Sequence, residues 1–248
     1  MVKIERFEVV DRCLFWKEEK TLIVGDLHLG YEGYLNERGW SFPKTQMEET
    51  LDVFARILKK VGKLKKIILL GDVKHYVSGI LNSEFSDFRD IMALFDKYLL
   101  KNGEVIITKG NHDGILEQVV EKYGNVRLVD FLIVKDVLFF HGHSRQFGKV
   151  EVYDKKIKLV VVGHFHPAVV IKDRKGSKKE RYKCFLYGKL KQLKNEVIIV
   201  PSFFPLVEGT DVSSGLLNGV YDINNFEVYV VADKVYDFGR IKSFLRKL

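Results

Sequence analysis

Two imidazoles two residues apart, in Gly163-His164-Phe165-His166-Pro167, follow the apolar run Leu159-Val160-Val161-Val162. At that spacing, just past a strand, the two side chains point the same way and reach one pocket. Histidine is scarce, seven in 248 residues. The remaining ones, His28, His75, His112, His141 and His143, each lie at or shortly after the end of another apolar run, beside Gly, Asp or Asn. Histidines used as filler would not all fall at strand ends. With Asp26, Asp72 and Asn111 they form a donor set of carboxylate, amide and imidazole without thiolate, which suits divalent borderline metals. The set is too large for one tetrahedral zinc and about right for two ions of higher coordination. Two metals roughly 3.5–4 Å apart clamp an in-line displacement at phosphorus. Such a pair shares a bridging carboxylate, and Asp72, on a central strand end, is the natural candidate.

The elements that must position these residues are short. Leu22–Val24, Ile67–Leu70, Val105–Ile107, Val137–Phe140, Leu159–Val162 and Val197–Val200 are apolar on both faces, as strands buried on both sides are. Between Pro43 and Val61, Met47, Leu51, Phe54 and Leu58 repeat at helical spacing, and Gly62 stops the run. A second helix is expected from an N-cap at Ser83 through Phe85, Phe88, Met92, Phe95 and Leu99 to Gly103. A shorter one is expected from Ile115 to Tyr123. The first three strands therefore alternate with helices, as in βαβ units. After about Leu132 strands take over, with a hairpin of Leu216–Asp222 and Phe226–Val231 around Ile223-Asn224-Asn225 and a final short helix from near Gly239. Met1–Phe7 alternates like one strand. The expectation is an α/β half and a β-rich half fused into a single domain over residues 1–248. Ligands gather at the carboxyl ends of such strands, and five of those ends carry the residues above, with glycines suited to sharp turns and close approach.

Composition narrows the setting. A net charge of +8 favours phosphate-bearing partners, nucleic acid among them, although Lys/Glu richness is also a signature of life at high temperature. Cys13 and Cys184 have no metal or redox spacing and are expected as reduced thiols. No apolar stretch has the length of a signal peptide or a membrane span, so the expected location is the cytoplasm, with no membrane partner.

In order, Asp26-x-His28, Gly71-Asp72, Gly110-Asn111-His112-Asp113, His141-Gly142-His143 and Gly163-His164-x-His166 resemble the motif blocks of the calcineurin-like metallophosphoesterases, over about residues 21 to 170. Asp26–Glu32, Gly71–His75, His166-Pro167-Ala168 and Pro201-Ser202-Phe203 are similar to one branch, of archaeal and bacterial phosphoesterases that include DNA-ligase-associated ones. The resemblance implies a four-layer αββα sandwich of two mixed sheets flanked by helices. It implies a first metal held by Asp26, His28 and His166, a second by Asn111, His141 and His164, and Asp72 as the bridge. Manganese, iron, zinc, nickel and cobalt serve such sites; donors of O and N alone favour Mn²⁺. The reaction so implied is in-line attack of a metal-bound hydroxide on a phosphodiester of nucleotides or nucleic-acid ends. Phosphomonoesters, cyclic nucleotides and a non-catalytic scaffold are the alternatives. His112 is expected to protonate the leaving oxygen, with Asp113 orienting it. His75 is read as near the scissile group or as a loop histidine. His143 is read as bracing a ligand, reaching phosphate or standing exposed, and Arg38 as a phosphate contact or a solvated charge. The basic run Lys172–Lys183 is read as an exposed hairpin or a lip that grips a polyanion. Pro201–Pro205 is read as a rigid loop.

Overall fold

The apolar runs all become strands, and alternate side chains of each strand end in different cores. A computed structural model describes residues 2–40, 45–143, 156–172, 178–189, 195–214 and 223–246. One sheet has the order β1 (Lys3–Ile4), β2 (Phe7–Val10), β3 (Cys13–Trp16), β4 (Thr21–Val24), β5 (Leu64–Leu69), β6 (Leu99–Thr108) and β7 (Val126–Val129). It is antiparallel as far as β4 and parallel from β4 to β7. The helices α1 (Tyr31–Glu37), α2 (Gln46–Val61), α3 (Asn82–Asp96) and α4 (Glu117–Val120) fill the crossovers between the parallel strands. The second sheet contains β8 (Leu132–Val134), β9 (Val137–Phe140), β10 (Leu159–Val162), β11 (Pro167–Lys172), β12 (Lys179–Lys189), β13 (Glu196–Ile199) and β14 (Thr210–Asp211). Its order is β14-β11-β12-β13-β10-β9-β8, and β15 (Glu227–Val231) and β16 (Val235–Arg240) attach through β12. A last helix, α5 (Ile241–Leu245), follows.

The period-2 alternation builds the layers. Leu22, Val24, Ile67, Leu69, Val105 and Ile107 face α2 and α3, meeting Phe54, Leu58, Phe88 and Phe95. Their neighbours Ile23, Ile68 and Leu70 turn the other way and meet Val137, Phe139, Leu159, Val161 and Ile198 of the second sheet. The far face of that sheet, with Leu138, Phe140, Val160 and Val162, is covered by Phe226, Ile241 and Phe244. A buried Leu, Ile or Phe contributes roughly 1.5–3 kcal/mol, more than an exposed ion pair does, so these three apolar layers hold the sandwich. Two mixed sheets with helices outside match the expected architecture.

Four expectations need correction. The second helix ends at Asp96, because the last turn closes with Tyr98 donating to the Phe95 carbonyl (2.9 Å) and Leu99 then pairs with Leu64. Leu99 is buried as a strand residue that happens to continue the helical spacing, and Gly103 lies inside β6. Ser83 is inside that helix, which starts at Asn82. Met1–Phe7 is not one strand: Glu5 takes a positive φ of 54° and turns β1 back onto β2. The antiparallel partner of Glu227–Val231 in the next hairpin is Val235–Arg240; Leu216–Asp222 lies outside the described residues, as does Pro43. The final helix begins at Ile241, close to where it was expected.

Candidate metal centre

Parallel pairing runs past the strand ends and delivers the ligands to one edge. Beyond β4 and β5, His28 donates its backbone N–H to the Asp72 carbonyl (2.9 Å) and Leu29 donates to that of Val73 (2.8 Å). Beyond β9 and β10, Gly163 donates to the His141 carbonyl (2.9 Å). His28, Asp72, His164 and His166 all take positive φ, between 44° and 66°. Non-glycine residues adopt that conformation rarely and at a cost, and such strain concentrates at functional sites. Two glycines are required by close approach: a Cβ on Gly110 would lie 2.2 Å from Asp72 Oδ1, and one on Gly163 would lie 2.6 Å from Asp26 Oδ2.

Two ligand sets result. In the first, His166 Nε2 lies 3.2 Å from Asp26 Oδ1 and 3.4 Å from His28 Nε2. In the second, His141 Nε2 lies 3.4 Å from Asp72 Oδ2, 3.0 Å from Asn111 Oδ1 and 3.0 Å from His164 Nδ1. The candidate ligand atoms of Asp26, His28 and His166, and those of Asp72, His141 and His164, fall within 4.8 Å of one another in each set. His141 Nδ1, 3.4 Å from Asp26 Oδ1, joins the two. Ring nitrogens converging with carboxylate oxygens at these distances can hold a shared cation, and without one a single N–H can bridge each nitrogen pair. His141 Nδ1 donates to the Leu70 carbonyl (2.7 Å), so in the neutral ring Nε2 has the lone pair, the outer contact that fixes a ligating tautomer. The donors are all N and O and belong to residues from five strand ends, so the arrangement fits a dinuclear divalent metal site.

The electrostatics divide three of the ligand rings. Burial presses His28 down to about 3 and His164 to about 4, so both rings are neutral near pH 7, the form a metal binds. Burial also opposes charge on His141, but Asp72 and Asp26 outweigh it and lift that ring to about 9, so it must give up its Nε2 proton when a metal binds. Burial works against ionised Asp26 as well, yet His166, His141 and His28 around it hold its carboxyl well below the usual range.

The other expected residues divide. His112 joins the site: its backbone N–H donates to Asp72 Oδ1 (2.9 Å), its Nδ1 is 2.5 Å from the His75 carbonyl, and its Nε2 is 3.8 Å from Asp72 Oδ2. Asp113 does not orient that ring. Its carboxylate is buried and accepts N–H groups of Val73 (3.0 Å), Lys74 (3.4 Å) and Gly110 (2.9 Å), which ties the Asp72 loop to the Asn111 loop. Burial, with Asp72 close by, raises Asp113 to about 6. The His75 carbonyl takes the orienting contact instead, and the His75 ring lies 5.4 Å from that of His28. His143 is half-buried, its ring 5.8 Å from that of His141. Arg38 lies away from the ligands, exposed, with its guanidinium over the Tyr34 ring at 4.7 Å. In the basic run, β11 and β12 form the expected hairpin, whose tip, 173–177, lies outside the described residues. Lys178 pairs with Glu180 and Arg181 with Glu208.

Lys183 departs furthest from expectation, and sequence reasoning missed its role. Its ammonium is enclosed, donating to the Ser202 carbonyl (2.8 Å), the Ser202 hydroxyl (3.0 Å) and the Phe204 carbonyl. Arg12 donates to the Phe203 carbonyl (2.7 Å), the Phe203 ring stacks on Phe54 at 3.9 Å, and the Phe203 N–H donates to the Asp26 carbonyl (2.8 Å). The Pro201–Pro205 loop is thus a strap beneath the first ligand. A lysine amid lysines reads as surface charge; only a partner distant in sequence marks it as internal. Lys183→Met leaves buried carbonyls unpaired and is expected to destabilise the fold by about 1–3 kcal/mol. Thermal denaturation reads it; an unchanged melting temperature would remove Lys183 from the strap. Glu84 was missed likewise: its carboxylate accepts the N–H groups of His75 (2.9 Å), Tyr76 (2.6 Å) and Leu81 (2.8 Å), and so shapes the His75 loop.

A search of curated proteins returns no match. Among solved structures, the nuclease MPE of Pseudomonas putida aligns with a TM-score of 0.63 at 17% identity, over 94% of this chain and 100% of that one. An archaeal phosphodiesterase aligns with a TM-score of 0.38 at 17% identity, over 88% and 98%. Zinc-complexed Vps29 of Entamoeba histolytica aligns with a TM-score of 0.37 at 12% identity, over 88% and 99%. The likeness to MPE is one of fold. The calcineurin-like phosphoesterase family is matched by its sequence profile over residues 19–231, from the turn before β4 to the end of β15. With that span matched and the motif residues gathered at one edge, the chain belongs to the calcineurin-like phosphoesterases.

Proposed function

We propose that the whole chain, 1–248, is one hydrolase domain that cleaves phosphodiesters of nucleotides or nucleic-acid ends in the cytoplasm. The observation that carries this reading is the convergence of two Asp/His sets at one sheet edge, with His112 bonded to Asp72 beside them. Asp26, His28 and His166 would hold one ion, Asn111, His141 and His164 the other, and Asp72 both; the N/O donor set favours Mn²⁺. Ions bound there lower the pKa of coordinated water and offset charge gathering on the phosphate oxygens. The protein's own residues do the rest. The His75 carbonyl accepts Nδ1–H of His112, and with the ring in its imidazolium form Nε2, 3.8 Å from Asp72 Oδ2, carries the proton for the leaving oxygen. Asp113 holds the two loops in register from behind.

The ligand shell favours diesters over monoesters. A diester is a monoanion, whereas a monoester dianion asks for further cationic compensation. Among the described residues the shell is imidazole, amide and carboxylate, and the buried ammonium of Lys74 turns to the Tyr76 carbonyl. The fold shared with a nuclease is compatible with the same choice.

Turnover of bis(4-nitrophenyl) phosphate against 4-nitrophenyl phosphate, with and without manganese, tests the reading. Manganese-dependent turnover with the diester preferred is the expected result. Preference for the monoester would make the protein a phosphomonoesterase, and no turnover of either with metal would support a scaffold.

A further inference from the structure

We propose that Tyr31, Tyr34 and Arg38 form a nucleobase subsite beside the metal cavity, which receives an unpaired base adjoining the scissile phosphodiester. The inference rests on the phosphodiesterase reading above and names what that site recognises.

A continuous strip of rings leads out of the cavity. The His28 ring, among the first ligand set, lies 5.4 Å from His75. His75 lies 4.6 Å from Tyr31 and 4.9 Å from Tyr34, both edge to face. Tyr34 carries the Arg38 guanidinium at 4.7 Å. These rings are placed differently from the core aromatics. Phe54, Phe88 and Phe95 are buried, whereas Tyr31 and Tyr34 are half-exposed and Arg38 is exposed. Arg38 makes no ion pair among the described residues. A guanidinium resting on a tyrosine face, three ring contacts out from the His28 ligand and without an ion pair among the described residues, offers both stacking and charge to a nucleotide. Aromatic faces and Arg planes are what proteins present to splayed-out bases, because every base has a π-face.

The strip is also held in place. Gly30, at the start of α1, donates to Asp87 Oδ2 (3.2 Å), and the Glu32 carboxylate accepts the N–H of Gln46 at the head of α2 (3.0 Å). His75 donates its N–H to the Leu29 carbonyl (3.0 Å), which locks the His75 loop to the turn before Tyr31. Tyr31 abuts Phe204 of the strap at 6.1 Å. A rigid platform binds a base with little ordering cost. A base seated on Tyr34 and its ribose and phosphate reaching back past His75 would place the next linkage over the ligand sets.

The experiment uses the manganese-loaded full chain and two short single-stranded oligonucleotides, one of ordinary sequence and one with an abasic residue beside the cleaved linkage. Wild-type protein is expected to prefer the intact strand by roughly 10- to 100-fold in kcat/KM, the range that base–aromatic stacking supports. Tyr34→Ala should collapse that preference towards unity, and Tyr34→Phe should retain it. Equal cleavage of both strands by wild-type protein overturns the subsite whatever the variants do, and so does a preference that survives Tyr34→Ala. Should Tyr34→Ala fail to fold, Arg38→Ala on the exposed side is expected to lower the preference instead, and an unchanged ratio there counts against the subsite. Failure to hydrolyse any phosphodiester, bis(4-nitrophenyl) phosphate included, overturns the parent reading rather than the platform.

Discussion

His112→Asn is expected to keep both metals and to lower turnover of a nucleotide diester by roughly 10²–10⁴-fold, the usual contribution of a positioned general acid. The backbone N–H at 112 still reaches Asp72 Oδ1, 2.9 Å away in the wild type, so the loop keeps its shape. An asparagine fills much of the imidazole's space and can still donate to the His75 carbonyl, but it has no titrating nitrogen. The deficit should therefore depend on the leaving group. An alkoxide needs a proton as the P–O bond breaks, whereas 4-nitrophenolate leaves almost unaided, so bis(4-nitrophenyl) phosphate should lose far less. Steady-state kinetics on both substrates, with metal content measured alongside, check this. Wild-type turnover, or equal losses on the two substrates, would take His112 out of the proton transfer.

Much of that site is legible in the sequence because ligands are carried on runs whose pattern is local. Leu159–Val162 announces a strand, Gly163 a turn and His164-x-His166 a pair of donors, all within eight residues, and the parallel pairing then fixes where they meet. The boundary errors have the same origin in reverse. Leu99 fits the helical spacing of Phe88, Met92 and Phe95, and only its pairing with Leu64, far back in the chain, assigns it to a strand. The helix Tyr31–Glu37 went unforeseen because it is short and its side chains are largely half-exposed, leaving little apolar periodicity to detect. Asp113 sits one residue from His112, which suggested a direct contact, but its carboxylate turns inward to N–H groups 40 residues away. Lys183 and Arg12 act through partners remote in sequence, and no spacing rule exposes them; Glu84 acts locally, on the N–H groups of the loop just before its own helix.

Asp72→Asn is the sharper test of the dinuclear reading, because it removes one charge while keeping the shape. Asp72 is buried at the junction: Oδ1 accepts the His112 N–H, Oδ2 lies 3.4 Å from His141 Nε2, and Gly110 packs so closely that a Cβ there would touch its carboxylate. An amide oxygen can still accept the His112 N–H, and the side-chain volume is unchanged, so the loop should survive. What the amide cannot do is offer two anionic oxygens to two cations at once; its NH₂ end presents hydrogens where the second ion must sit. The expected result is fewer than two ions per chain by elemental analysis, and a loss of diesterase activity at least as large as that of His112→Asn. Melting temperature measured after chelation should stay close to that of chelated wild-type protein, which separates lost metal from lost fold. Two ions retained at wild-type affinity would mean that Asp72 does not bridge, and the two ligand sets would then have to be explained as separate mononuclear sites.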